Sequence, residues 1–329
     1  MNNSTGPLMI SVLVPTYNRA LSLEDTLSCL LNQRTTDEFN YEVIVIDNNS
    51  TDATKATVER YISQFNNKLR YLFEPRQGKV FALNTGIKNS LGIVITCIDD
   101  DCLFDKEHLF KMSEIFKENG PDVGLIGGKI LPHWLEGSYP QWLGEFLPDQ
   151  PLRSNNSDGL VQFFCGPLGI LDYGDTPYMV DYAQPSHDSR YFYGANTSFR
   201  KSALDKFGYF NEHSILVEDT EICLRLLKAG VKARYSPELR VFHKIKAKSV
   251  NTHFYYRNSF KKGVRREIVQ NYPAKFYHPF GIQMSFIKQT FELFWKSFFT
   301  DSFKQKLYLR SQTLFNAGQM IKIFKQNIV

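Results

Sequence analysis

Residues 92–101 read GIVITCIDDD, a short apolar run that ends in three consecutive aspartates. An apolar run of this length is typical of a β-strand that is buried on both faces. The arrangement occurs twice earlier in the chain, where the mainly apolar residues 10–14 lead into PTYN and the mainly apolar residues 41–46 lead into DNN. Segments with apolar residues at helical spacing separate these runs. The alternation predicts an α/β fold with a mostly parallel sheet flanked by helices.

Further elements follow the same pattern along the chain. Strands are expected at 69–73, 93–98, 123–131, 231–235 and 239–243, and helices from about residue 22, after 50–52, at 78–90, after residue 105 and at 218–229. Residues 132–190 are rich in Pro, Gly, Trp and Tyr and show little periodicity, which is typical of loops that line a pocket. Beyond residue 249 the chain is expected to be helical.

The charges are distributed unevenly along the chain. Residues 240–329 contain 17 Lys and Arg and three Asp and Glu, whereas the preceding 239 residues contain 22 and 31. This asymmetry indicates an acidic body and a basic tail that contacts something anionic. We therefore divide the sequence into an α/β domain at 1–245, with halves at 1–131 and 132–245, and a helical extension at 246–329.

The extension is aromatic as well as basic. Residues 276–325 carry several Phe and one Trp among lysines, at a spacing that suits amphipathic helices. Such helices either lie on an anionic membrane surface or pack their aromatic face on the α/β domain. The sequence leaves both arrangements open.

Composition excludes several classes of protein. With 43% hydrophobic and 22% charged residues, the chain is an ordinary globular sequence rather than a disordered one. No uncharged apolar run reaches about 18 residues, so no membrane-spanning helix is expected. The N-terminus lacks the features of a secretory signal, and the five cysteines include no CxxC pair. We expect the cysteines to be reduced and the protein to be cytoplasmic. Peripheral contact with the inner face of a membrane is left open.

The polar clusters that follow the strands are the candidate functional residues. The carboxyl ends of parallel strands meet at one edge of a sheet, which is where ligands bind. Asp99, Asp100 and Asp101 would repel one another there, and Mg²⁺ or Mn²⁺ would neutralise them. In an extended segment Asp99 and Asp101 point to one side and Asp100 to the other. The alternative is a turn of solvated acids, but the two companion clusters favour a metal site.

Other residues near predicted element boundaries have two interpretations each. Glu218 and Asp219 begin a predicted helix, where a carboxylate can act as a general base on a hydroxyl group or simply cap the helix. Asp47 could accept hydrogen bonds from a ribose or a base, or cap the helix after it. Arg76 and Lys79 lie at the start of a predicted helix, where the helix dipole does not favour cations, so they suit a diphosphate or a base. The alternative for each is an ordinary solvated basic turn.

Two further observations narrow the choice of ligand. His243 lies at the end of a predicted strand and could bind a borderline metal such as Mn²⁺, although a lone histidine is more often structural. The segment VPTYNRA after the first strand has no glycine, which argues against the dinucleotide-binding fingerprint.

Six motifs occur in a characteristic order over roughly residues 8–245. They are PTYN, VIVIDNNSTD, GKVFALNTGI, the three aspartates, GANTSFRKSAL and EDTEICLRL. In combination they resemble the family 2 glycosyltransferases, inverting enzymes with the GT-A fold. The resemblance implies a Rossmann-like nucleotide-binding half and an acceptor-binding half. It also implies metal-dependent transfer of a sugar from a nucleotide sugar, most often a UDP-sugar, to a hydroxyl group of a glycan or lipid-linked acceptor in polysaccharide or glycoconjugate biosynthesis.

The resemblance implies roles for individual residues. Asp219 matches the catalytic base of the family's ED motif, with Glu218 beside it. Asp101 matches the metal ligand of the DxD motif, and His243 matches a histidine found near the metal. The nucleotide-sugar site is expected to include Pro15, Thr16, Tyr17, Asp47, Arg76, Lys79, Asp99, Asp100 and Asn196. The family pattern defines no role for Asp100.

Other functions are less well supported by the sequence. A nucleotide-sugar-binding protein without catalysis would not need the acids at 99, 101 and 219. A nucleotidyltransferase would carry a glycine-rich basic loop after the first strand, where this chain has PTYNRA. No nucleic-acid recognition motif is present, so no nucleic-acid partner is expected.

Overall fold

The computed structural model describes residues 7–137, 139, 143, 168–180, 192–213, 218–269, 290–300, 306–314 and 316–317. Two compact units emerge from the contacts between Cα atoms. One unit comprises Met1–His133, Arg153–Asn155 and Gly169–Lys244, and the other comprises Trp134–Leu152, Asn156–Leu168 and Ile245–Val329. The sequence-based boundaries at 131/132 and 245/246 stay predictions.

The described chain alternates strands and helices as the sequence predicts. The elements are β1 (Leu8–Thr16), α1 (Ala20–Leu31), β2 (Phe39–Asp47), α2 (Thr54–Ile62), β3 (Leu69–Phe73), α3 (Lys79–Lys88), β4 (Val94–Cys97), β5 (Cys102–Phe104), α4 (His108–Glu118), β6 (Val123–Trp134), β7 (Tyr178–Val180), β8 (Thr197–Arg200), α5 (Lys201–Phe207), α6 (Glu218–Lys228), β9 (Lys232–Ile245) and α7 (Thr252–Val269). Short 3₁₀ turns lie at Ser63–Phe65, Gly194–Asn196 and Ala247–Ser249.

The register of the central strands aligns their carboxyl ends. β1 pairs in parallel with β2 from Leu8 opposite Phe39 to Thr16 opposite Asp47. On its other side β1 pairs in parallel with β4, and β2 pairs in parallel with β3. The residues that follow β1, β2 and β4 therefore meet at one edge of the sheet, as the sequence predicts.

The sheet as a whole is mixed. Its order is β3-β2-β1-β4-β8-β6-β9-β5, with β7 paired to β9 outside this path. The parallel arrangement expected from the sequence holds for β3, β2, β1 and β4. Beyond β4, antiparallel pairing is found between β4 and β8, β6 and β8, β5 and β9, and β7 and β9. The second half of the sheet is thus built from later segments of the chain, in which β8 runs against β4 and β6 runs against β8.

Two strands differ from the sequence-based prediction. β5 contains only three residues, too few for a hydrophobic pattern, and was not expected. It pairs antiparallel with β9, with Cys102 opposite His243. β9 is one strand of 14 residues where we expect two, at 231–235 and 239–243. Pro237 does not interrupt it, because the proline lies between the residues that pair with β7 and those that pair with β5.

In the second unit, α7 is followed by helical residues 290–296 and 306–314. The remaining parts of 276–325, for which amphipathic helices are expected, lie outside the described residues. Among the described helices, none combines the length and the apolarity needed to cross a bilayer.

A buried glutamate links β1, β2 and β3 at the end of the sheet away from the strand-end clusters. Glu42 accepts hydrogen bonds from the Ser11 hydroxyl at 2.6 Å, the Leu91 amide at 2.7 Å and the Arg70 guanidinium at 2.8 Å. Its side chain is only 5% exposed. Because removal of an acceptor leaves buried donors without a partner, the carboxylate contributes to stability through several groups at once.

We expect Glu42→Ala to lower the free energy of unfolding by about 1–3 kcal/mol, because the Ser11 hydroxyl and the Leu91 amide lose their acceptor. Urea denaturation measures this loss. Glu59, which forms an exposed ion pair with Lys55 at 3.9 Å, provides the control. Glu59→Ala is expected to leave stability unchanged, and an equal loss in both variants would contradict the role given to Glu42.

Candidate active site

A pocket of about 480 Å³ lies in the first unit, at the carboxyl ends of the parallel strands. All three strand-end clusters contribute to it. The residues that line it are Pro15, Thr16, Tyr17, Arg19, Asn48, Gln77, Gly78, Lys79, Asp99, Asp100, Asp101 and His243. Segments separated by more than 200 residues in the sequence therefore face one cavity.

Two loops at the mouth of the pocket are fastened to each other. The Asn18 amide donates to Ser50 Oγ at 2.9 Å, and Asn18 Oδ1 accepts from the Thr51 amide at 2.7 Å. The Ala20 amide donates to Asp52 Oδ2 at 3.0 Å. Asn18 has a φ of 52°, a left-handed conformation that asparagine tolerates better than most residues. These contacts fix the backbone of 15–17, which lines the pocket.

Asn48 positions a third segment of the pocket wall. Its Oδ1 accepts from the Gly78 amide at 2.7 Å, and its Nδ2 donates to the carbonyl groups of Glu74 at 3.2 Å and Arg76 at 2.7 Å. The side chain thus holds the loop that leads from β3 to Lys79. The sequence marks DNN as a polar cluster but gives no sign that its first asparagine is the residue that fastens this loop.

Asp47 is buried beside the pocket rather than in its lining. Its Oδ1 accepts from the Ser50 amide at 2.8 Å, and its Oδ2 accepts from the Tyr71 hydroxyl at 2.8 Å. Burial, together with this contact, raises the pKa of Tyr71 above its usual range. Asp47 therefore holds the turn that precedes α2, but it does not cap this helix as the sequence-based alternative has it, because the N-cap residue is Ala53, which makes no side-chain capping hydrogen bond. A contact to a nucleotide stays a prediction.

Arg76 is likewise absent from the pocket lining. Its guanidinium contacts Glu74 at 3.0 Å and Glu212 at 3.4 Å, and it lies 4.5 Å from the centre of the Phe81 ring. The hydrogen bond from Arg76 lowers the pKa of Glu74 to about 2. A nucleotide contact by Arg76 would have to compete with these two carboxylates, and it stays a prediction.

Asn196 has a structural role in the described residues. Its Nδ2 donates to the carbonyl groups of Lys129 at 2.8 Å and Leu239 at 2.9 Å, which joins β6 to β9. The residue is 2% exposed and does not line the pocket. These contacts give Asn196 a structural role. Its contact with the donor sugar stays a prediction.

The aspartate triplet (Asp99, Asp100 and Asp101) lies in a turn between β4 and β5, not in an extended segment. The expected alternation of the three side chains is therefore wrong. Arg19 Nη1 donates to Asp100 Oδ1 at 3.2 Å and also to Asp101 Oδ2. Asp99 pairs with Lys79. The Thr16 hydroxyl donates to Asp100 Oδ2 at 2.7 Å.

These surroundings separate the pKa values of two neighbouring acids. Burial raises the pKa of Asp100 to about 6, although Arg19 and Thr16 oppose the shift. For Asp101, burial also favours the protonated form, but contacts with His243 and Arg19 hold its pKa below the usual range. Protein cations thus offset the repulsion among the three carboxylates, so the charge argument for a metal is weaker than the sequence suggests.

A metal ion would find two protein ligands at this point. His243 Nε2 lies 3.4 Å from Asp101 Oδ2, because the pairing of β5 with β9 sets the two residues side by side. Among the residues that the structure describes, no group of three His, Cys, Asp or Glu side chains is arranged to hold a metal ion. One carboxylate and one imidazole fit Mn²⁺ or Mg²⁺ if oxygen atoms of a bound ligand or water complete the coordination.

Glu218 and Asp219 begin α6, next to Lys79. The Gly194 amide donates to Asp219 Oδ2 at 3.2 Å. A Cβ atom added at Gly194 would lie 3.3 Å from Lys79 Nζ and 3.8 Å from Asp219 Cβ, so the three residues adjoin. Neither acid lines the pocket itself, whereas Lys79 does. Lys79 is therefore the residue that connects the pocket, through Asp99, with the two acids of α6.

The pKa shifts of Glu218 and Lys79 also reflect the proximity of Lys79 to the acids of α6. Burial and the neighbouring Asp219 raise the pKa of Glu218 to about 7, while Lys79 opposes the shift. Burial disfavours the charged form of Lys79, but attraction by Asp99 and Glu218 outweighs it and raises the pKa of the amine. Lys79 thus stays charged between two sets of carboxylates.

Comparison with solved structures identifies the fold. The chain superimposes on the mannosyltransferase PcManGT from Pyrobaculum calidifontis, in complex with GDP-Man and Mn²⁺, with a TM-score of 0.53. The match covers 98% of this chain and 74% of that chain at 18% sequence identity. At this identity the likeness shows the fold alone, which is of the GT-A type.

Curated relatives match parts of the chain. It is 33% identical to glycosyltransferase AglE of Haloferax volcanii over 132 residues. This aligned stretch makes up 40% of this chain and 40% of AglE. It is 26% identical over 230 residues to the poly-beta-1,6-N-acetyl-D-glucosamine synthase of Staphylococcus epidermidis, a match that covers 69% of this chain. The chain spans 40% and 48% of the length of these two relatives.

Two family models match consecutive parts of the sequence. Residues 11–172 match Glycosyl transferase family 2, and residues 175–309 match Glycosyl transferase family group 2. The first match contains the strand-end clusters of the pocket, and the second contains α6 with its two acids. The chain therefore belongs to the family 2 glycosyltransferases.

Proposed function

We propose that this protein transfers a sugar from a nucleotide-sugar donor to a hydroxyl group of a glycan or lipid-linked acceptor, with inversion at the anomeric carbon. The observation that carries the proposal is the position of Lys79. Its ammonium group pairs with Asp99 in the pocket and adjoins Gly194, whose amide holds Asp219. A sugar donor in the pocket and an acceptor beside Asp219 would then both lie next to the ammonium group of Lys79.

The pocket offers contacts for the nucleotide part of the donor. Tyr17 is exposed in the lining and presents an aromatic ring on which a base can stack, next to Pro15 and Thr16. Lys79 provides a positive charge where the diphosphate leaves, which stabilises the charge that develops in the transition state. The family relationship and the GDP-Man in the PcManGT structure support a nucleoside diphosphate sugar, a UDP-sugar in our sequence-based prediction.

Asp101 and His243 would hold a divalent cation, Mn²⁺ or Mg²⁺, at the pocket wall. Such an ion, when bound, supplies Lewis-acid stabilisation of the diphosphate. The PcManGT structure contains Mn²⁺, so the fold is compatible with this arrangement. Asp101 lies in the turn before β5 and His243 lies on β9, and the Lys244 amide joins these segments by donating to the Asp101 carbonyl at 2.9 Å.

Asp219 is the proposed general base. A carboxylate in the first turn of a helix is stabilised in its charged form by the helix dipole. The Thr220 and Gly194 amides, at 2.7 Å and 3.2 Å, orient its two oxygen atoms. Asp219 Oδ1 also accepts from the Thr220 hydroxyl at 3.4 Å. Oδ2 accepts from Gly194 alone among the described residues, so it keeps a lone pair that can take the proton of the acceptor hydroxyl as the hydroxyl oxygen attacks the anomeric carbon. Glu218 beside it is the second acid proposed for the catalytic site.

We expect Asp219→Asn to reduce the release of nucleoside diphosphate by about 10²–10⁴-fold, because an amide cannot accept the proton. Release is measured over a panel of UDP-, GDP- and dTDP-sugars with Mn²⁺, and donor binding is followed by the rise in melting temperature. The rise should be retained in the variant.

Glu221→Gln is the matched control, since Glu221 lies in the same helical turn and pairs with Arg225 at 2.7 Å. Its turnover should remain at the wild-type level. Wild-type protein that is stabilised by a nucleotide sugar but never releases the diphosphate would instead identify a binding protein without catalysis. Loss of donor binding in Asp219→Asn would remove this residue from the role of base.

We also propose that the second unit contacts an anionic membrane surface, which would bring the protein to a lipid-linked acceptor. The support is an exposed aromatic cluster consisting of Phe291, Phe294, Trp295, Phe298 and Phe299, each between 44% and 80% exposed. Basic residues accompany it, and Arg310 lies 5.7 Å from the centre of the Phe298 ring. Aromatic side chains beside basic ones are typical of surfaces that bind anionic lipid headgroups.

We expect the full chain to bind vesicles that contain phosphatidylglycerol and to bind phosphatidylcholine vesicles less well. The double substitution of Trp295 and Phe299 by Ser should reduce binding at least tenfold, as estimated from the apolar area withdrawn from the interface. Sedimentation with vesicles measures it. Phe73→Ser removes an aromatic residue of similar exposure from the first unit and should have no effect. Absence of wild-type binding to anionic vesicles would contradict the proposal.

A further inference from the structure

Arg19 lies between the end of β1 and the start of α1, at the wall of the pocket. It follows PTYN directly and precedes the first residue of α1. Its Nη1 donates to Asp101 Oδ2 and, at 3.2 Å, to Asp100 Oδ1. The guanidinium therefore bridges the last two members of the aspartate triplet.

The oxygen atom that Arg19 contacts is also the one nearest to His243. His243 Nε2 lies 3.4 Å from Asp101 Oδ2. A divalent cation held between Asp101 Oδ2 and His243 Nε2 would approach this same oxygen, where a guanidinium nitrogen already lies within hydrogen-bond distance. Because two cations at one carboxylate oxygen repel each other, Arg19 and the metal ion cannot both keep their best positions.

We propose that Arg19 is an internal competitor of the divalent cation at Asp101, and that it exchanges this carboxylate for the donor's phosphate groups when the cation binds. The inference rests on the metal site of the proposed function. Arg19 is a positioning residue in this account, since it acts on the acids that hold the cation.

The distribution of exposure makes such an exchange feasible. The side chain of Arg19 is 51% exposed, whereas those of Asp100 and Asp101 are 7% and 15% exposed. The guanidinium can therefore swing into the pocket while both carboxylates stay in place. Asp100 keeps its hydrogen bond from Thr16, and the backbone of Arg19 stays anchored by the Leu23 amide, which donates to its carbonyl group at 3.0 Å.

The chemistry of the released group suits the proposed ligand. A guanidinium binds phosphate oxygen atoms with two parallel hydrogen bonds, so Arg19 would gain a new anionic partner at the moment it loses the old one. A nucleoside diphosphate in the pocket would draw Arg19 away from Asp101 and thereby strengthen cation binding. By thermodynamic reciprocity, the cation would strengthen binding of the nucleotide to the same extent.

Lys79 provides an internal contrast. It pairs with Asp99, which the family resemblance assigns to the nucleotide-sugar site rather than to the metal. The side chains of Lys79 and Asp99 are similarly exposed, at 31% and 29%. Attraction by both Asp99 and Glu218 holds its charge in place. We therefore expect Arg19, and not Lys79, to leave its carboxylate partner when the divalent cation binds.

The test is binding of Mn²⁺ to the full chain without nucleotide, followed by the electron paramagnetic resonance of the free ion. We expect Arg19→Ala to lower the Mn²⁺ dissociation constant about tenfold, which corresponds to about 1.4 kcal/mol. Arg19→Lys, which keeps the charge, should lie between wild type and Arg19→Ala. Arg34→Ala removes an arginine of similar exposure that pairs with Glu107, and it should match wild type.

A second arm measures the coupling. UDP, GDP and dTDP are each added to the Mn²⁺ titration, and the nucleotide that binds should tighten Mn²⁺ binding more in the wild type than in Arg19→Ala. Equal or weaker Mn²⁺ binding by Arg19→Ala without nucleotide overturns the inference, as does a failure of both proteins to bind Mn²⁺. Circular dichroism of each variant verifies folding, and Arg19→Gln serves as a second neutral variant if Arg19→Ala does not fold.

The outcome separates this inference from the proposed function, because the first arm uses no donor and no turnover. Normal release of nucleoside diphosphate with unchanged Mn²⁺ affinity in Arg19→Ala would overturn the inference alone. Tighter Mn²⁺ binding in Arg19→Ala, in a protein that never turns over a nucleotide sugar, would support the inference and overturn the proposed function.

Discussion

The pocket depends on the neutralisation of three adjacent carboxylates by two cations that come from elsewhere in the chain. Arg19 reaches Asp100 and Asp101 from the loop after β1, and Lys79 reaches Asp99 from the start of α3. Without them, three acids in a half-buried turn would repel one another and lose ionisation or open the turn. Both cations face the cavity in which a negatively charged ligand would bind, so the interaction that stabilises the turn also prepares the site for a diphosphate.

The fold brings these charges together through strand register and a few buried side-chain hydrogen bonds. Parallel pairing puts the end of β1 beside the end of β2, and Asn48 fastens the loop that carries Lys79. On the opposite wall, the antiparallel pair of β5 and β9 sets His243 beside Asp101. The geometry of the site is thus determined by backbone pairing, which is rigid, rather than by long side chains alone.

Much of this arrangement could be predicted from the sequence because its cause is local. The apolar runs and the polar residues that end them predict β1, β2 and β4 and their convergence, since parallel strands end at a common edge. Six motifs in order indicate the family, and the family models confirm it. The helix that begins with Glu218 was predicted from its periodicity and forms as expected.

The remainder depends on contacts between distant residues, which carry no local pattern. The three-residue strand β5 exists because β9 pairs with it, and no periodicity can indicate so short an element. Asp47 and Asn196 match motif positions, yet their described partners are Ser50 and Tyr71 for the first and two backbone carbonyl groups for the second. Arg19 was overlooked although a basic residue directly after a strand-end cluster is a plausible partner for acids that follow a neighbouring strand.

In the proposed reaction, a donor bound beside the aspartate triplet presents its sugar to Asp219 across Lys79. A crystal structure of the protein with Mn²⁺ and its best-stabilising nucleotide sugar would test it most directly. We predict a diphosphate that contacts Lys79, with the anomeric carbon facing the Asp219 carboxylate. A donor bound outside this pocket, or one whose sugar points away from Asp219, would contradict the account.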